Sequence, residues 1–317
     1  MTADQLAALS DTLFSSSVGL YSLAVVAFCA QLAFGRRPAR ARELVGAGAP
    51  VEPGAPAASA HRADPPAVRR WGRVAMLLTA LGAVAHTGVL VARGLATDRL
   101  PWGNMYEFAT AVVLVAVVAF VVLAVRSPGL RHLGLFVLAP VVVSLVAIGL
   151  FLYVEDGPLV AALRSSWLAV HVTTAILGFG VFFVSGIASI LYLVRSRHEA
   201  RGGDPAGLVA RIPDAATLDR VAHRTVVFGF PIWTFAVIAG AIWAESAWGR
   251  PWGWDPKETW AFIAWVVYAA YLHARTTAGW RGRSAAWVNV VGLAVMVFNL
   301  LYVNMVSTGL HSYGGVN

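Results

Sequence analysis

The chain alternates long apolar runs with short polar segments, and each run is close to the length that a helix needs to cross a bilayer. These runs fall at about 13–34, 74–93, 107–125, 132–153, 167–194, 225–244, 259–274 and 285–306. In hydrocarbon the backbone polar groups must bond inside their own segment, and about 20 helical residues cover the membrane core. The pattern predicts an all-α, polytopic integral membrane protein with about eight transmembrane helices.

The polar segments between the runs suggest a division of the chain. Residues 1–35 form a first transmembrane anchor, 36–72 a cytoplasmic linker rich in Ala, Pro and Arg, and 73–317 a seven-helix core. Linkers of this composition are flexible. The fifth run is rich in small residues, among them Gly178, Gly180 and Gly186. Small residues let neighbouring helices approach closely, so we expect this helix at the centre of the bundle.

Composition and charge agree with the membrane assignment and set its orientation. The chain is 58% hydrophobic and 13% charged, with a mean hydropathy of +0.70. Its net charge is +8, and the basic residues are concentrated in every second polar segment along the chain. These segments hold all of the 24 basic residues except Arg93, Arg99, Arg164, Arg250 and Lys257. By the positive-inside rule, both the N-terminus and the C-terminus lie outside. The basic charge therefore needs no nucleic acid partner.

Six of the 12 tryptophans lie within residues 243–265, which we call the tryptophan segment. Trp collects at membrane surfaces, but that tendency explains two or three rings rather than six. Gly249, Pro251 and Gly253 predict an irregular stretch at 248–258, with Asp255 as the N-cap and Pro256 as the first residue of the next helix. The segment predicts an aromatic surface at the outer face that suits a large planar ligand.

Two histidines are expected at the same membrane depth as the tryptophan segment. His171 lies about one turn inside the fifth run, and His311 follows the eighth run. Two neutral imidazoles beside an aromatic surface match the axial ligands of a six-coordinate haem. Zinc is the other candidate, but the sequence offers no third outer His or Cys ligand. Arg250 and Lys257 are candidates to neutralise haem propionates.

His273 lies about 20 Å from the outer site along the seventh run, so it cannot join the first two histidines. A histidine at an inner helix end is either a ligand or a group that reaches the membrane surface, and the spacing leaves both open. Cys29 is the single cysteine, so the chain has no internal disulfide and no CxxCH motif of its own. Thiol chemistry must come from another protein.

Several motifs together resemble one family. The run WGWDPKETWAFIAW, preceded by AIWAESAWG, is similar to the WWD signature of the CcsA/ResC family of System II cytochrome c biogenesis proteins. SSWLAVHV around His171, YLHAR around His273, GLHSYG around His311 and NMYEF near Glu107 extend the resemblance over most of the chain from about residue 100. The CcmC and CcmF proteins share the signature, but the GLHSYG tail and the eight predicted spans resemble CcsA more closely.

The resemblance implies a site and a cofactor, haem b. It makes His171 and His311 the outer haem ligands that flank the WWD loop, and His273 the intramembrane haem histidine. With these histidines, the candidate cofactor-binding residues of the tryptophan segment are Trp248, Trp252, Trp254, Asp255 and Trp260. No residue is assigned a catalytic role.

The resemblance also implies a function and partners. The expected protein is a multi-pass subunit of a cytochrome c synthase (haem lyase) in a bacterial plasma membrane, embedded in membrane lipid. It would work with a ResB-type membrane protein, export haem to the outer face and present it for thioether attachment to the CxxCH of apocytochrome c. Two alternatives stay open: a b-type haem electron-transfer subunit, which needs ligand pairs within its own spans, and a solute transporter, which would bind no haem.

Overall fold

A computed structural model describes residues 1–34, 65–155, 163–204, 207–307 and 309–311. Across these residues the chain forms eight α-helices and two short 3₁₀ helices, at Pro128–Leu133 and Leu208–Arg211. The α-helices are α1 (Ala3–Ala33), α2 (Pro66–Thr97), α3 (Met105–Arg126), α4 (Gly134–Phe151), α5 (Ser166–Ala200), α6 (Ala215–Trp248), α7 (Pro256–Thr276) and α8 (Arg283–Met305). The all-α prediction is confirmed, and each apolar run lies on a helix of its own.

Seven of the described helices are long and apolar enough to cross a membrane, which makes the chain a multi-pass membrane protein. The exception is α7, whose 21 residues carry Lys257 and Glu258 in the first turn and His273 and Arg275 in the last. Its middle, from Thr259 to Leu272, has no ionisable group other than tyrosine. We treat it as the seventh of eight spans.

One end of the bundle collects the helix ends and loops that carry few basic residues. Ser10 Oγ of α1 donates to the Val89 carbonyl of α2, and Tyr153, after α4, donates to Asp11 of α1. At the same end, His311 after α8 meets Asp255 before α7. The charge pattern predicts that this end lies outside, and we call it the outer end. The inner end carries the C-terminal turns of α3 and α5 and the first turn of α8.

Helix α5 occupies the centre of the bundle and packs against α3, α6 and α8. Its glycines mark the closest approaches: a Cβ on Gly178 would lie 3.2 Å from the Trp233 ring, and one on Gly186 would lie 2.5 Å from Leu293. Asn289 of α8 donates to Ser185 and Ser189 of α5 at 2.8 and 2.7 Å. The predicted central position of the fifth span is confirmed.

The structure shows how the predicted anchor packs and where α2 begins after the predicted linker. Helix α1 packs along α2, and its buried Tyr21 and Phe28 share one apolar core with α3 and α4. Helix α2 begins at Pro66, so residues 66–72 are helical. Most of the predicted linker, residues 35–64, lies outside the described residues.

Candidate functional site

The turn between α6 and α7 holds the middle of the tryptophan segment. Helix α6 ends at Trp248 and is capped by Gly249, whose φ of 70° is the left-handed conformation that glycine adopts at low cost. Helix α7 begins after Asp255, which accepts from the backbone N–H of Lys257 at 2.9 Å. Glu258 completes a capping box by accepting from the Asp255 N–H at 3.2 Å. The predicted N-cap is confirmed.

Asp255 also holds the C-terminal segment against this turn. Its Oδ1 accepts from Nδ1 of His311 at 2.7 Å, and its Oδ2 accepts from the Leu310 N–H at 2.7 Å. Burial of the Asp255 carboxyl favours its neutral form, but the bonds from His311, Leu310 and Lys257 outweigh burial and hold its pKa below the ordinary value. The residue is therefore a carboxylate that joins the start of α7 to the chain after α8.

His171 is fixed by the helix beside it. Its Nδ1 lies 2.8 Å from the Ala236 carbonyl oxygen of α6, so this nitrogen carries the proton and donates. Gly240, one turn further along α6, lets that helix approach the imidazole, because a Cβ there would lie 2.7 Å from Cε1 of the ring. The backbone of α6 thus sets both the tautomer and the orientation of His171.

The two histidines line one cavity at the outer end. Its walls include His171, His311, Trp243, Trp248 and Trp252, and its volume is about 60 Å³. The Trp243 indole is stacked on His171, with ring centroids 5.8 Å apart and an interplanar angle of 10°. The same indole meets the His311 ring edge-on at 5.7 Å. A single buried tryptophan therefore contacts both imidazoles.

Two other tryptophans of the segment lie outside the cavity: Trp254 is exposed, and Trp260 packs against α8. Trp254 is 69% exposed and lies 5.8 Å from the ring of Trp252. Trp260 packs on Phe298 of α8, with ring centroids 4.4 Å apart, and does not line the cavity. Trp233, from the middle of α6, does line it, although it lies outside the tryptophan segment.

The donor set suits the iron of a haem. In both histidines Nδ1 is committed to an oxygen acceptor, so Nε2 is the nitrogen whose lone pair can bind metal. Metal-binding histidines commonly donate their other N–H to a carbonyl or carboxylate, as His171 and His311 do here. Within the described part of the chain, no group of three or more His, Cys, Asp or Glu side chains could hold a bare metal ion.

Two basic residues lie near the cavity. Lys257 lines it, and its Nζ donates to the Asn299 carbonyl at 3.1 Å. Arg250 lies against Gly253, and its buried Nη1 has no hydrogen-bond partner among the described residues. An anionic group beside Arg250 would satisfy that donor.

A buried ion cluster supports the wall next to His171. Glu107 of α3, fully buried, accepts from Arg93 at 3.2 Å and from Arg99 at 2.8 Å. It also accepts from the Gly103 N–H at 2.6 Å. This last bond fixes the loop before α3, which lines a second cavity of about 100 Å³ shared with His171 and His311. Glu107 lies in the first turn of α3, so this one carboxylate is both a helix-end group and the centre of the ion cluster.

The other histidines lie apart from this site. His273 is exposed in the last turn of α7, at the inner end. His86 of α2 is fully buried and pairs with the Tyr21 hydroxyl of α1, its Nδ1 lying 3.3 Å from that oxygen. The structure therefore brings together His171 and His311 and leaves His273 distant from both.

The comparison with protein families covers this site. The model of the family described as "Cytochrome C assembly protein" matches residues 102–311. The chain belongs to this family. The matched range runs from Trp102, just before α3, to His311, so it contains both histidines of the cavity, the tryptophan segment and His273.

Relatives of this family member extend the match. The chain is similar to "Cytochrome c biogenesis protein CcsA" of Guillardia theta, with 35% identity covering 75% of this chain and 85% of that protein. The CcsA protein of Thermosynechococcus vestitus is 37% identical, over 75% of this chain and 88% of its own. Among solved structures, "Cytochrome c Heme Lyase CcmF" aligns with a TM-score of 0.64 and 17% identity, over 100% of this chain and 50% of that chain. At that identity the likeness concerns the fold, and the chain spans half the length of that structure.

Proposed function

We propose that this chain is a membrane subunit of cytochrome c biogenesis whose outer end holds haem b between His171 and His311 and presents it to apocytochrome c. The observation that carries the proposal is the matched pair of imidazoles in one cavity. Each has its Nδ1 fixed, by the Ala236 carbonyl in one case and by Asp255 in the other. Each therefore offers Nε2 as an axial ligand.

The surroundings of the two imidazoles suit a porphyrin. Trp248 and Trp252 supply indole faces at the cavity wall, and aromatic contacts of this kind add about 0.5–1.5 kcal/mol each beyond area burial. Lys257 lines the cavity, and Arg250 precedes the lining residue Pro251 and has no hydrogen-bond partner for its Nη1 among the described residues. Both would neutralise the propionates. These contacts support a large, flat dianion better than a small polar solute.

Haem entry requires the site to open. The cavity of about 60 Å³ is far smaller than the roughly 300–1,000 Å³ of typical ligand pockets. Trp243, which contacts both imidazoles, is the side chain that must move for a planar ring to lie between them. In the described conformation the cavity is therefore closed to a porphyrin.

The reaction itself needs no nucleophile from this chain. Each cysteine thiol of the CxxCH motif adds across one vinyl group of haem: a carbon–sulfur bond forms, the thiol hydrogen goes to the other vinyl carbon, and no oxidant is consumed. The chain's contribution is to hold the haem in one orientation, so that the two thiols react as neighbouring groups. His171, His311, Trp248 and Trp252 fix that orientation.

A ResB-type membrane partner completes the proposed unit. His273 is exposed at the inner end of α7 and lies far from the outer pair. One histidine leaves an axial position of haem iron open, so we infer that a neighbouring subunit supplies the second ligand of an inner haem. The haem would then pass outward to His171 and His311.

The test is cytochrome c assembly in a host whose own biogenesis system has been deleted. The chain and its partner are expressed with a reporter apocytochrome, and covalent haem is read on denaturing gels. We expect His171→Ala and His311→Ala to abolish the covalent signal, while His198→Ala, at the inner end of α5, retains it. Full assembly by both site variants would exclude the proposed role of the pair. A complex of the chain with its partner that purifies without haem would favour the solute transporter.

A further inference from the structure

A wide cleft opens at the inner end of the bundle, at the opposite end of α5 from His171. One wall is a stripe of α5 and the other is the first two turns of α8, and the volume is about 720 Å³. The lining residues on α5 repeat at helical spacing, so they form one face: Ile190, Leu193, Val194, Arg197, Ala200 and Arg201. From α8 the cleft receives Arg283, Trp287 and Val290.

Three arginines set the charge of the cleft. Arg197 lies in the last turn of α5, Arg201 is the C-cap of that helix, and Arg283 is the first residue of α8. Arg283 is held in place by its bonds to Ser196, where Nη2 lies 2.9 Å from the carbonyl oxygen. Among the described residues that line the cleft none is acidic, and the neighbouring Glu199 pairs with Arg195 at 2.6 Å. The cleft is therefore strongly cationic.

The part of the cleft nearer the middle of α5 is apolar. Ile190 and Val194 lie one to two turns before the arginines of α5, and Val290 lies two turns after Arg283. Ile190 and Val194 are 38% and 45% exposed, and Trp287 is 60% exposed. Trp is favoured where the headgroups meet the hydrocarbon, so its position places the arginines at headgroup level and the aliphatic side chains in the bilayer.

We propose that this cleft binds an anionic phospholipid, with the phosphates on Arg197, Arg201 and Arg283 and the acyl chains against Ile190, Val194 and Val290. Basic pockets between transmembrane helices on the cytoplasmic side are suited to such headgroups. Three guanidinium groups, with no acid among the described lining residues, exceed the charge of one phosphodiester. A lipid with two phosphates, of the cardiolipin type, matches them best.

The cleft has its arginines at one end and its aliphatic side chains at the other, and this arrangement favours a lipid over a soluble anion, a partner helix or haem. A soluble anion would use the arginines and leave the apolar half of a 720 Å³ space unfilled. A partner helix would cover Trp287 and the aliphatic residues, but it would also need acidic groups for three arginines that lie at the same membrane depth. Only an amphipathic molecule with its charge at one end meets both halves, and haem, with two propionates on a flat ring, is the competitor that the test must separate.

The test is a cardiolipin titration of the purified full chain, followed by native mass spectrometry. The variant R197Q/R201Q/R283Q should bind cardiolipin about 100-fold more weakly, since each basic residue near an anionic surface contributes roughly fivefold. The matched control R69Q/R126Q/R224Q removes the same charge from exposed positions at the inner end but outside the cleft. It should bind as the parent does. Equal weakening in both variants, or none in either, would overturn the proposal.

Two further arms identify the occupant. Inorganic phosphate or haem at matched concentration should leave the bound lipid in place. Displacement by phosphate would identify the cleft as a phosphate site, and displacement by haem would identify it as a porphyrin site. If the lipid stays bound to the isolated chain but is displaced when the membrane partner is added, the cleft is the binding site of that protein instead. Should the triple variant fail to elute as a single helical species, Arg201→Gln alone, at the exposed C-cap of α5, should still weaken binding about fivefold.

Discussion

Asp255 Oδ1 lies 2.7 Å from Nδ1 of His311, so the residue that starts α7 also orients the histidine that follows α8. The carboxylate can only accept a hydrogen bond, so Nδ1 of His311 is the donor. Nε2 lies on the side of the imidazole ring opposite Asp255. The aspartate of the tryptophan segment therefore acts on the proposed haem site through His311 rather than by touching the haem.

This contact predicts that Asp255→Asn weakens haem retention while α7 stays capped. Asn caps helices as well as Asp does, but its single carbonyl cannot serve His311, Leu310 and Lys257 together. Loss of a partner that orients a metal ligand costs about 10–100-fold in affinity. Haem titration of the purified variant measures this, with Asp214→Asn, the N-cap of α6 at the inner end, as control. Equal haem affinity in the parent protein and Asp255→Asn would remove Asp255 from the site.

Trp243 provides a second prediction because it contacts both imidazoles in a closed cavity. Trp243→Ala should speed haem binding by opening the site and lower the free energy of unfolding by about 3–5 kcal/mol. Stopped-flow absorption gives the rate, and Trp265→Ala is the control for lost packing. Trp265 donates to Thr234 at 2.9 Å and does not line the cavity. Haem binding at the parent rate in Trp243→Ala would show that another element closes the site.

The Glu107 cluster predicts a large effect on stability. Glu107→Gln leaves Arg93, only 2% exposed, without its carboxylate partner and should lower the free energy of unfolding by about 3–5 kcal/mol. Glu199→Gln breaks an exposed pair with Arg195 and should cost less than about 1 kcal/mol. Thermal unfolding in detergent, followed by circular dichroism, compares the two. Similar shifts would mean that the buried cluster contributes no more than a surface pair.

His273 carries the prediction about the partner. The isolated chain should retain little haem at the inner end, and co-expression with the ResB-type partner should raise its haem content. His273→Ala should remove that increment and leave His171 and His311 able to bind haem supplied from outside. A chain that is fully loaded alone, with no change in His273→Ala, would rule out a shared inner site.

The sequence predicted the helices, and which residues gather at the outer end, better than it predicted the contacts between those residues. Runs of apolar residues are sufficient to place eight helices, and Asp-Pro after a glycine-rich turn is a local signal for the start of α7. The membrane depth of His171 and His311 follows from helical rise alone. These features depend on short stretches of chain.

The contacts within the cavity depend on which side of each helix faces it. A helix that is apolar all round shows no polar face in its sequence, so nothing separates Trp243, which enters the cavity, from Trp260, which packs on Phe298. The bond from His171 to Ala236 joins residues 65 positions apart and uses a backbone carbonyl, which carries no sequence signal. Trp233 joins the cavity from the middle of α6, where only helix packing could place it.

The central claim is that His171 and His311 together bind one haem iron, and its most direct test is the spin state of that iron. Absorption and electron paramagnetic resonance spectra of the purified, haem-loaded protein should show a low-spin, six-coordinate iron. His171→Ala and His311→Ala should each convert it to a five-coordinate, high-spin form, and added imidazole should restore the low-spin spectrum. An unchanged low-spin spectrum in either variant would contradict the account.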